Sequence, residues 1–252
     1  MAALSLLALG AAPVLALTPP PVDGPFDYQI GGAYTPLPSV AIVDRDRNDP
    51  PVAGKYNICY VNAFQTQPEE ASWWRANHGN LLLHDSSDGL VIDSAWNEIL
   101  LDTSTPAKRE ALLSVIGPWI DGCATAGYLA LEPDNLDSYT RSKGYLTADE
   151  NRAFAAMLIN RAHVDGLAVA QKNASELDTA GMGFDFAIAE ECQRYRECEL
   201  FTSQYGQHVI EIEYRNTPFN NACAARGSRI SIIRRDVEVV PLGELSYVYE
   251  WC

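Results

Sequence analysis

The chain has 252 residues, of which 47% are hydrophobic and 10% aromatic, so it can bury the core of one large domain. Its formal net charge of −15 excludes nucleic acid as an expected partner, because few cations are present to neutralise phosphates. A neutral or cationic substrate is compatible with this charge, although an acidic surface also favours solubility.

Residues 1–17 form an apolar segment rich in Ala and Leu, and Thr18-Pro-Pro-Pro-Val22 follows it. The segment is typical of the apolar part of a secretory signal, although the first basic residue in the chain is Arg45. It is shorter than the roughly 20 residues that a membrane-spanning helix requires. We therefore predict a signal-like segment and proline-rich linker over residues 1–22, a single domain over residues 23–252, secretion, and no stable membrane insertion.

The chain contains six cysteines, an even number, and no two of them form a CxxC pair. They are Cys59, Cys123, Cys192, Cys198, Cys223 and Cys252. In an exported chain this pattern predicts three disulfides, for which about 15 connectivities are possible. A zinc site is the alternative, but the four histidines are dispersed along the chain. We therefore predict neither a metal site nor a cofactor.

Predicted strands and helices follow one another along the chain. Each strand is predicted from a short apolar or alternating run bounded by turn residues. The strands span residues 26–31, 40–45, 56–61, 128–131, 167–173, 184–191, 209–214 and 230–235. A long connection covers residues 62–102. One helix begins at Thr105-Pro106, and another begins at the capping box Thr147-Ala-Asp-Glu150 and ends at Gly166.

Eight strands in a chain near the typical barrel length of about 250 residues predict an α/β fold, a (β/α)8 barrel of the TIM type with a long insertion after the third strand. The connections between strands one and three look too short for full helices. An open, doubly wound sheet is the alternative, but the Gly-rich phosphate loop expected after one of its strands is missing.

In both folds the chemistry lies at the carboxyl ends of the strands. The residues there are mostly carboxylates, amides and tyrosines. We predict that substrate contacts come from Asp44, Tyr60, Glu132, Asn135, Asp137, Lys172, Asn173, Glu213 and Tyr214. Two carboxylates across a cleft suffice for glycoside hydrolysis, and Asp134 and Glu190 can face one pocket. For any single carboxylate the alternative is a structural ion pair with Arg45, Arg141 or Lys172.

Four segments resemble the endo-α-1,4-polygalactosaminidase family of glycoside hydrolases. They are Glu132-Pro-Asp-Asn-Leu-Asp137, Gln171-Lys-Asn173, Ala189-Glu-Glu-Cys192 and Ile212-Glu-Tyr214. The resemblance covers residues 26–236 and implies a barrel that hydrolyses α-1,4-linked galactosamine polymers, some of them partly N-acetylated. It also implies a catalytic carboxylate pair, which here is Asp134 and Glu190. The resemblance leaves open which of the two is the nucleophile, and we favour Asp134 as the nucleophile and Glu190 as the acid/base.

The third strand departs from the family pattern where it continues as Tyr60-Val-Asn-Ala-Phe-Gln65, and the loop after it borders the expected pocket. The substrate can therefore differ from that of the family even where the chemistry is the same. A galactosamine polymer with free amines is cationic and suits a net charge of −15. We also expect Cys192 and Cys198 to close a loop that braces Glu190. A non-catalytic carbohydrate-binding barrel protein is the alternative function.

Overall fold

The computed structural model describes residues 17–252, so most of the predicted signal-like segment lies outside the described residues. The strands are β1 Phe26–Gln29, β2 Ile42–Asp46, β3 Tyr56–Asn62, β4 Ile92–Asp93, β5 Glu98–Ile99, β6 Ala130–Asp134, β7 Ala168–Lys172, β8 Phe186–Glu190, β9 Val209–Glu213, β10 Ser231–Arg235 and β11 Tyr249–Trp251. The helices are α1 Ala71–His78, α2 Pro106–Ala126, α3 Ala148–Val164, α4 Cys192–Tyr195, α5 Cys198–Tyr205 and α6 Asn216–Arg226.

The main sheet has the strand order β1-β2-β3-β6-β7-β8-β9-β10-β11. All eight predicted strands are present in it, and each pairs in parallel with the next one along this order. The sheet therefore curves into the predicted TIM-like barrel. Strand β11, which pairs antiparallel with β10, was not predicted, because Tyr249-Glu-Trp251 is short and mostly exposed.

Side chains close the barrel between β1 and β10. The buried Arg235 at the end of β10 donates a hydrogen bond to the carbonyl oxygen of Tyr28 in β1, and its guanidinium lies 3.8 Å from Asp27. The hydroxyl of Tyr249 donates to the carbonyl oxygen of Phe26 at 3.0 Å. Strand β1 is thus joined to β10 by a buried cation and to β11 by a tyrosine.

Side chains alternate between the inside of the barrel and the layer of helices around it. Ala130 of β6 packs in the barrel interior, whereas the next residue, Leu131, packs against the helices. The same alternation places Ile188 of β8 inside and Ala189 outside. Interior positions at the carboxyl end of each strand are therefore the ones that can reach a central pocket.

Helices cover only part of the barrel. Thr105 caps α2 through the amide of Lys108, and Thr147 and Glu150 form the predicted capping box of α3. The β1–β2, β2–β3 and β7–β8 connections, which the structure describes in full, contain no helix, so the ring of eight helices is incomplete. Within residues 17–252, no helix combines the length and the apolar character needed to cross a membrane.

The connection between β3 and α2 is the predicted long insertion, and it packs onto the core formed by the barrel strands with α2 and α3. Trp74 of α1 is buried and meets Trp119 of α2 edge-on, with ring centroids 5.8 Å apart. The short strands β4 and β5 form an antiparallel hairpin after α1. This hairpin places part of the insertion at the rim of the barrel.

The cysteines form three disulfides, as predicted: Cys59–Cys123, Cys192–Cys198 and Cys223–Cys252. The first joins β3 to the end of α2 across a sequence separation of 64 residues. The second closes a segment of 6 residues directly after β8. The third ties α6 to the last residue of the chain.

We expect the Cys59–Cys123 and Cys192–Cys198 disulfides to differ in their contribution to stability. On loop length alone, Cys59→Ala/Cys123→Ala should lower the free energy of unfolding by about 4 kcal/mol, and Cys192→Ala/Cys198→Ala by about 2 kcal/mol. Urea unfolding of both double variants beside the wild type measures this difference. Equal losses, or a larger loss for the shorter loop, would contradict the loop-length explanation.

Candidate active site

A cavity of about 550 Å³ opens at the carboxyl ends of the barrel strands. Asp134 of β6 and Glu190 of β8 both line it, with side chains 18% and 23% exposed. Of the residues predicted to contact substrate, Tyr60, Asn135, Asp137, Asn173 and Tyr214 also line the cavity. The structure therefore brings the predicted catalytic pair together with five of its predicted neighbours.

The ammonium group of Lys172 lies between the two catalytic candidates, just below the floor of this cavity. Its Nζ atom is 3.4 Å from Asp134 Oδ1 and 3.3 Å from Glu190 Oε2. The same atom is 2.7 Å from Glu132 Oε1 and donates to the hydroxyl of Tyr28 at 2.9 Å. One buried cation thus contacts three carboxylates on two strands.

Lys172 is charged even though its side chain is only 1% exposed. Burial acts to lower the pKa of its ammonium group, but the negative charges of Asp134, Glu132 and Glu190 outweigh burial and raise that pKa well above its usual range. Charge neutralisation therefore holds the lysine in the barrel interior, and the lysine in turn fixes the carboxylates.

Asp134 is held by two further donors. The hydroxyl of Tyr60 donates to its Oδ2 atom at 2.9 Å, and the amide of Asn135 donates to its Oδ1 atom at 2.7 Å. Asn135 adopts a left-handed backbone conformation, with φ of 66°, which turns the chain immediately after β6. This turn lets the backbone amide of Asn135 face the carboxylate that precedes it.

Glu190 is held mainly by Asn173 and Tyr214. The side chain of Asn173 donates to Glu190 Oε2 at 2.9 Å and accepts from the amide of Glu190 at 2.8 Å. The hydroxyl of Tyr214 donates to Glu190 Oε1. Asn173 therefore fixes both the backbone and the carboxylate of Glu190.

The chain turns sharply after Glu190, where Glu191 has a φ of 54° and α4 begins at Cys192. The amide of Glu191 donates to the carbonyl oxygen of Ile212 at 2.7 Å. The Cys192–Cys198 disulfide closes the segment that follows. This placement is the one expected for a loop that braces Glu190.

The separation of the two catalytic candidates is limited by their common neighbour. Asp134 Oδ1 and Glu190 Oε2 each lie within 3.4 Å of Lys172 Nζ. These two oxygens are therefore at most about 7 Å apart. This limit is compatible with the separation of roughly 5–9.5 Å between the carboxyl groups of glycosidase pairs. The arrangement can place a glycosidic bond between an acid and a nucleophile or base.

The insertion supplies part of the cavity wall that the sequence reasoning did not assign to the site. Asp93, Trp96 and Glu98 come from the β4–β5 hairpin and line the cavity. Arg141 contacts Asp93 at 2.9 Å and Asp137 through its Nη1 atom at 2.9 Å. The sequence signals for Trp96 and Glu98 are that both match the galactosaminidase family pattern and that they lie in a long insertion next to the pocket.

Glu98 lies in a nearly closed environment beside Asp134. Burial raises the pKa of its carboxyl to about 7, against the opposing effect of the hydrogen bond from Gln65. Gln65 Nε2 donates to Glu98 Oε2 at 2.8 Å, and Asn135 Nδ2 donates to the same oxygen at 3.3 Å. Glu98 therefore changes charge near neutral pH.

Four residues predicted to contact substrate do not line the cavity: Asp44, Glu132, Lys172 and Glu213. The first three point into the barrel interior below the cavity floor and are at most 2% exposed. Glu213 points outward, because it alternates with Ile212 along β9, and it accepts a hydrogen bond from the amide of Gln193 at 2.8 Å. Direct substrate contact by these residues is incompatible with their burial, so that interpretation is corrected.

Comparison with known proteins identifies the family and supports the fold. The sequence profile of glycoside-hydrolase family GH114 matches residues 8–252, which confirms the resemblance found in the sequence. The fold is similar to that of Aspergillus fumigatus Ega3 in complex with galactosamine, at 21% identity and a TM-score of 0.74, covering 92% of this chain and 96% of that one. No curated protein matches the chain.

A second similar structure is the glycoside hydrolase domain of PelA from Pseudomonas aeruginosa. Its identity is 16% and its TM-score 0.62, with 87% of this chain and 96% of that chain covered. Both similar structures share this fold over nearly their whole length. They confirm the fold that the strand pattern predicted.

Removing the Lys172 charge should destabilise the protein. In Lys172→Met, Glu132 keeps its buried negative charge without the cation, and we expect the free energy of unfolding to fall by about 3–5 kcal/mol. Chemical denaturation measures this loss, and the exposed Lys143→Met is the matched control, expected to change stability by less than about 0.5 kcal/mol. A loss for Lys172→Met as small as that of the control would contradict the ion-pair network.

Glu98 should make stability depend on pH. Its pKa of about 7 in the folded protein exceeds the ordinary value of 4.5. The contribution of Glu98 to the free energy of unfolding is therefore fully present below the pKa of the unfolded state. It is lost as the pH rises from that value to the pKa of the folded state, because over this interval Glu98 ionises in the unfolded chain but stays protonated in the folded protein.

In Glu98→Gln this pH-dependent loss should disappear. As the pH is raised from acidic to slightly alkaline, the free energy of unfolding of the variant should therefore increase by roughly 1–3 kcal/mol relative to that of the wild type. Unfolding measured across this interval tests the gain, with Glu244→Gln on the exposed surface as the control. Parallel stability profiles for Glu98→Gln and the wild type would contradict the assignment.

Proposed function

The chain belongs to glycoside-hydrolase family GH114, and we propose that it is a secreted endo-acting enzyme that hydrolyses α-1,4-linked, partly N-acetylated galactosamine polymers. In this proposal Asp134 is the nucleophile and Glu190 the acid/base. The observation that carries the proposal is the pairing of both carboxyl groups around one ammonium, at 3.4 and 3.3 Å, in a single open cavity.

The proposed reaction uses both carboxyl groups in turn. Glu190 protonates the glycosidic oxygen while Asp134 attacks the anomeric carbon, and water then releases the sugar from Asp134 with Glu190 acting as the base. Tyr60 and the amide of Asn135 hold the carboxylate of Asp134 toward the cavity. Asn173 orients Glu190 by hydrogen-bonding to both its backbone amide and its side chain.

The cavity wall favours a cationic sugar. Glu69, Asp93, Asp137 and Glu238 line it, and Arg141 is the single Lys or Arg among its described lining residues. The charge of Arg141 is already paired with Asp93 and Asp137. The remaining carboxylates give the cleft a negative potential that attracts the ammonium groups of galactosamine.

Trp96 supplies an apolar surface at the rim, where its side chain is 49% exposed. Aromatic rings of this kind combine a large contact area with a polar N–H group. We assign Trp96 to the face of a sugar outside the catalytic position. A sugar contact outside the catalytic position supports endo-action, because the substrate of such an enzyme extends beyond the cleaved bond.

Secretion is supported by two observations. Three disulfides form within residues 17–252, and disulfides persist mainly in oxidising compartments. Residues 1–17 have the apolar composition of a secretory signal. The alternative function, a non-catalytic carbohydrate-binding barrel, is disfavoured because both carboxyl groups are present at a catalytic separation.

The direct test is product analysis on purified α-1,4-galactosamine polymer. The wild type should release oligosaccharides, whereas Glu190→Gln and Asp134→Asn should each lower kcat by at least about 10³-fold, since each removes one partner of the reaction. Glu191→Gln, one residue beyond Glu190, is the matched control and should keep most of the activity. Release of products by Glu190→Gln at the wild-type rate would refute the assignment, and polymer binding without cleavage by the wild type would favour the binding protein.

A further inference from the structure

A second pair of acidic side chains lies directly below the catalytic pair. Asp44 of β2 and Glu132 of β6 both point into the barrel interior and are fully buried. The two carboxyl groups are within hydrogen-bonding reach of each other. Neither lines the cavity, so the reaction proposed above does not use them.

The hydrogen bonds of these two carboxyl groups are unequal. Glu132 Oε1 accepts from the hydroxyl of Tyr28 at 3.1 Å and contacts Lys172 Nζ at 2.7 Å. Glu132 Oε2 and both oxygens of Asp44 accept no hydrogen bond from any group among residues 17–252. A buried carboxylate ion without a donor costs several kcal/mol, so such a group is expected to keep its proton.

The donors decide which of the two carboxyl groups carries the proton. Glu132 contacts the Lys172 cation and accepts a hydrogen bond from the Tyr28 hydroxyl, whereas Asp44 accepts a hydrogen bond from neither. Burial, and then the negative charge of Glu132, raise the pKa of Asp44 well above its ordinary value. The other titratable groups that face Asp44 are Lys172, Asp134, Tyr28 and Tyr128.

We propose that Asp44 is a neutral positioning residue, a carboxylic acid that donates its proton to Glu132 Oε2 and thereby sets the position of Lys172 between Asp134 and Glu190. This inference rests on the proposed function for its catalytic consequence. Asp44 touches neither the substrate nor the reacting atoms, and it acts through Glu132 and Lys172.

The geometry explains why a neutral acid is needed at this position. Lys172 already lies closer to Glu132, at 2.7 Å, than to Asp134 and Glu190, at 3.4 and 3.3 Å. A second negative charge below it would draw the ammonium group further down and away from the catalytic pair. A neutral donor satisfies Glu132 without adding that charge.

The inference predicts opposite results for two substitutions at one position. Asp44→Asn keeps an uncharged donor of the same shape and should hold kcat within about threefold of the wild type. Asp44→Ala leaves Glu132 Oε2 without a donor and shifts Lys172, so kcat should fall by roughly 10²-fold while KM changes little. A loss in Asp44→Asn as large as that in Asp44→Ala would overturn the proposal, because an ionised carboxylate would then be required.

A spectroscopic readout tests the protonation state independently of activity. With 13C-labelled aspartate, carboxyl NMR of the full chain should show one protonated aspartic acid at neutral pH that is missing from Asp44→Asn. Absence of that signal in the wild type would overturn the inference, whether or not Asp44→Ala folds. A wild type that shows the signal but fails to cleave galactosamine polymer would refute the proposed function alone.

Discussion

The site depends on the contact between one buried ammonium group and three carboxylates. Lys172 enters the barrel interior from β7 and meets Glu132 and Asp134 of β6 and Glu190 of β8. Without its charge, several like charges would face each other in a low-dielectric interior, and the carboxyl ends of β6 and β8 would repel one another. With it, two carboxyl groups open to solvent are held at a separation that suits glycoside chemistry. The same contact therefore serves both stability and function.

Around this contact the chain builds two layers with different tasks. The lower layer, Asp44, Glu132 and Tyr28, is closed to solvent and holds the lysine from below. The upper layer, Tyr60, Asn173 and Tyr214, borders the cavity and orients the carboxyl groups. The insertion then adds an acidic and aromatic rim through Asp93 and Trp96. Chemistry is thus placed on rigid strands, and the rim, which faces the substrate, is carried by connections that vary more readily.

Much of this arrangement could be predicted from the sequence, since buried parallel strands read as apolar runs and their carboxyl ends fall at one edge. That logic placed Asp134 and Glu190 in one pocket. It failed for Glu213, because the outward direction of its side chain follows from the register of β9 and not from its place at a strand end. It missed Asp93 and Glu98, because their approach to the site depends on how a long insertion folds. Asp44 shows a third limit, since a strand-end carboxyl can lie one layer below the cavity floor.

In the proposed reaction, Asp134 and Glu190 flank the bond that is cleaved. The most direct measurement is a crystal structure of Glu190→Gln with a bound α-1,4-galactosamine oligosaccharide. We expect a sugar chain that crosses the cavity. A glycosidic oxygen should lie within hydrogen-bonding distance of the side-chain amide at position 190, and the adjoining anomeric carbon should face the carboxylate of Asp134. An oligosaccharide bound in the cavity with both groups remote from every glycosidic bond would contradict it.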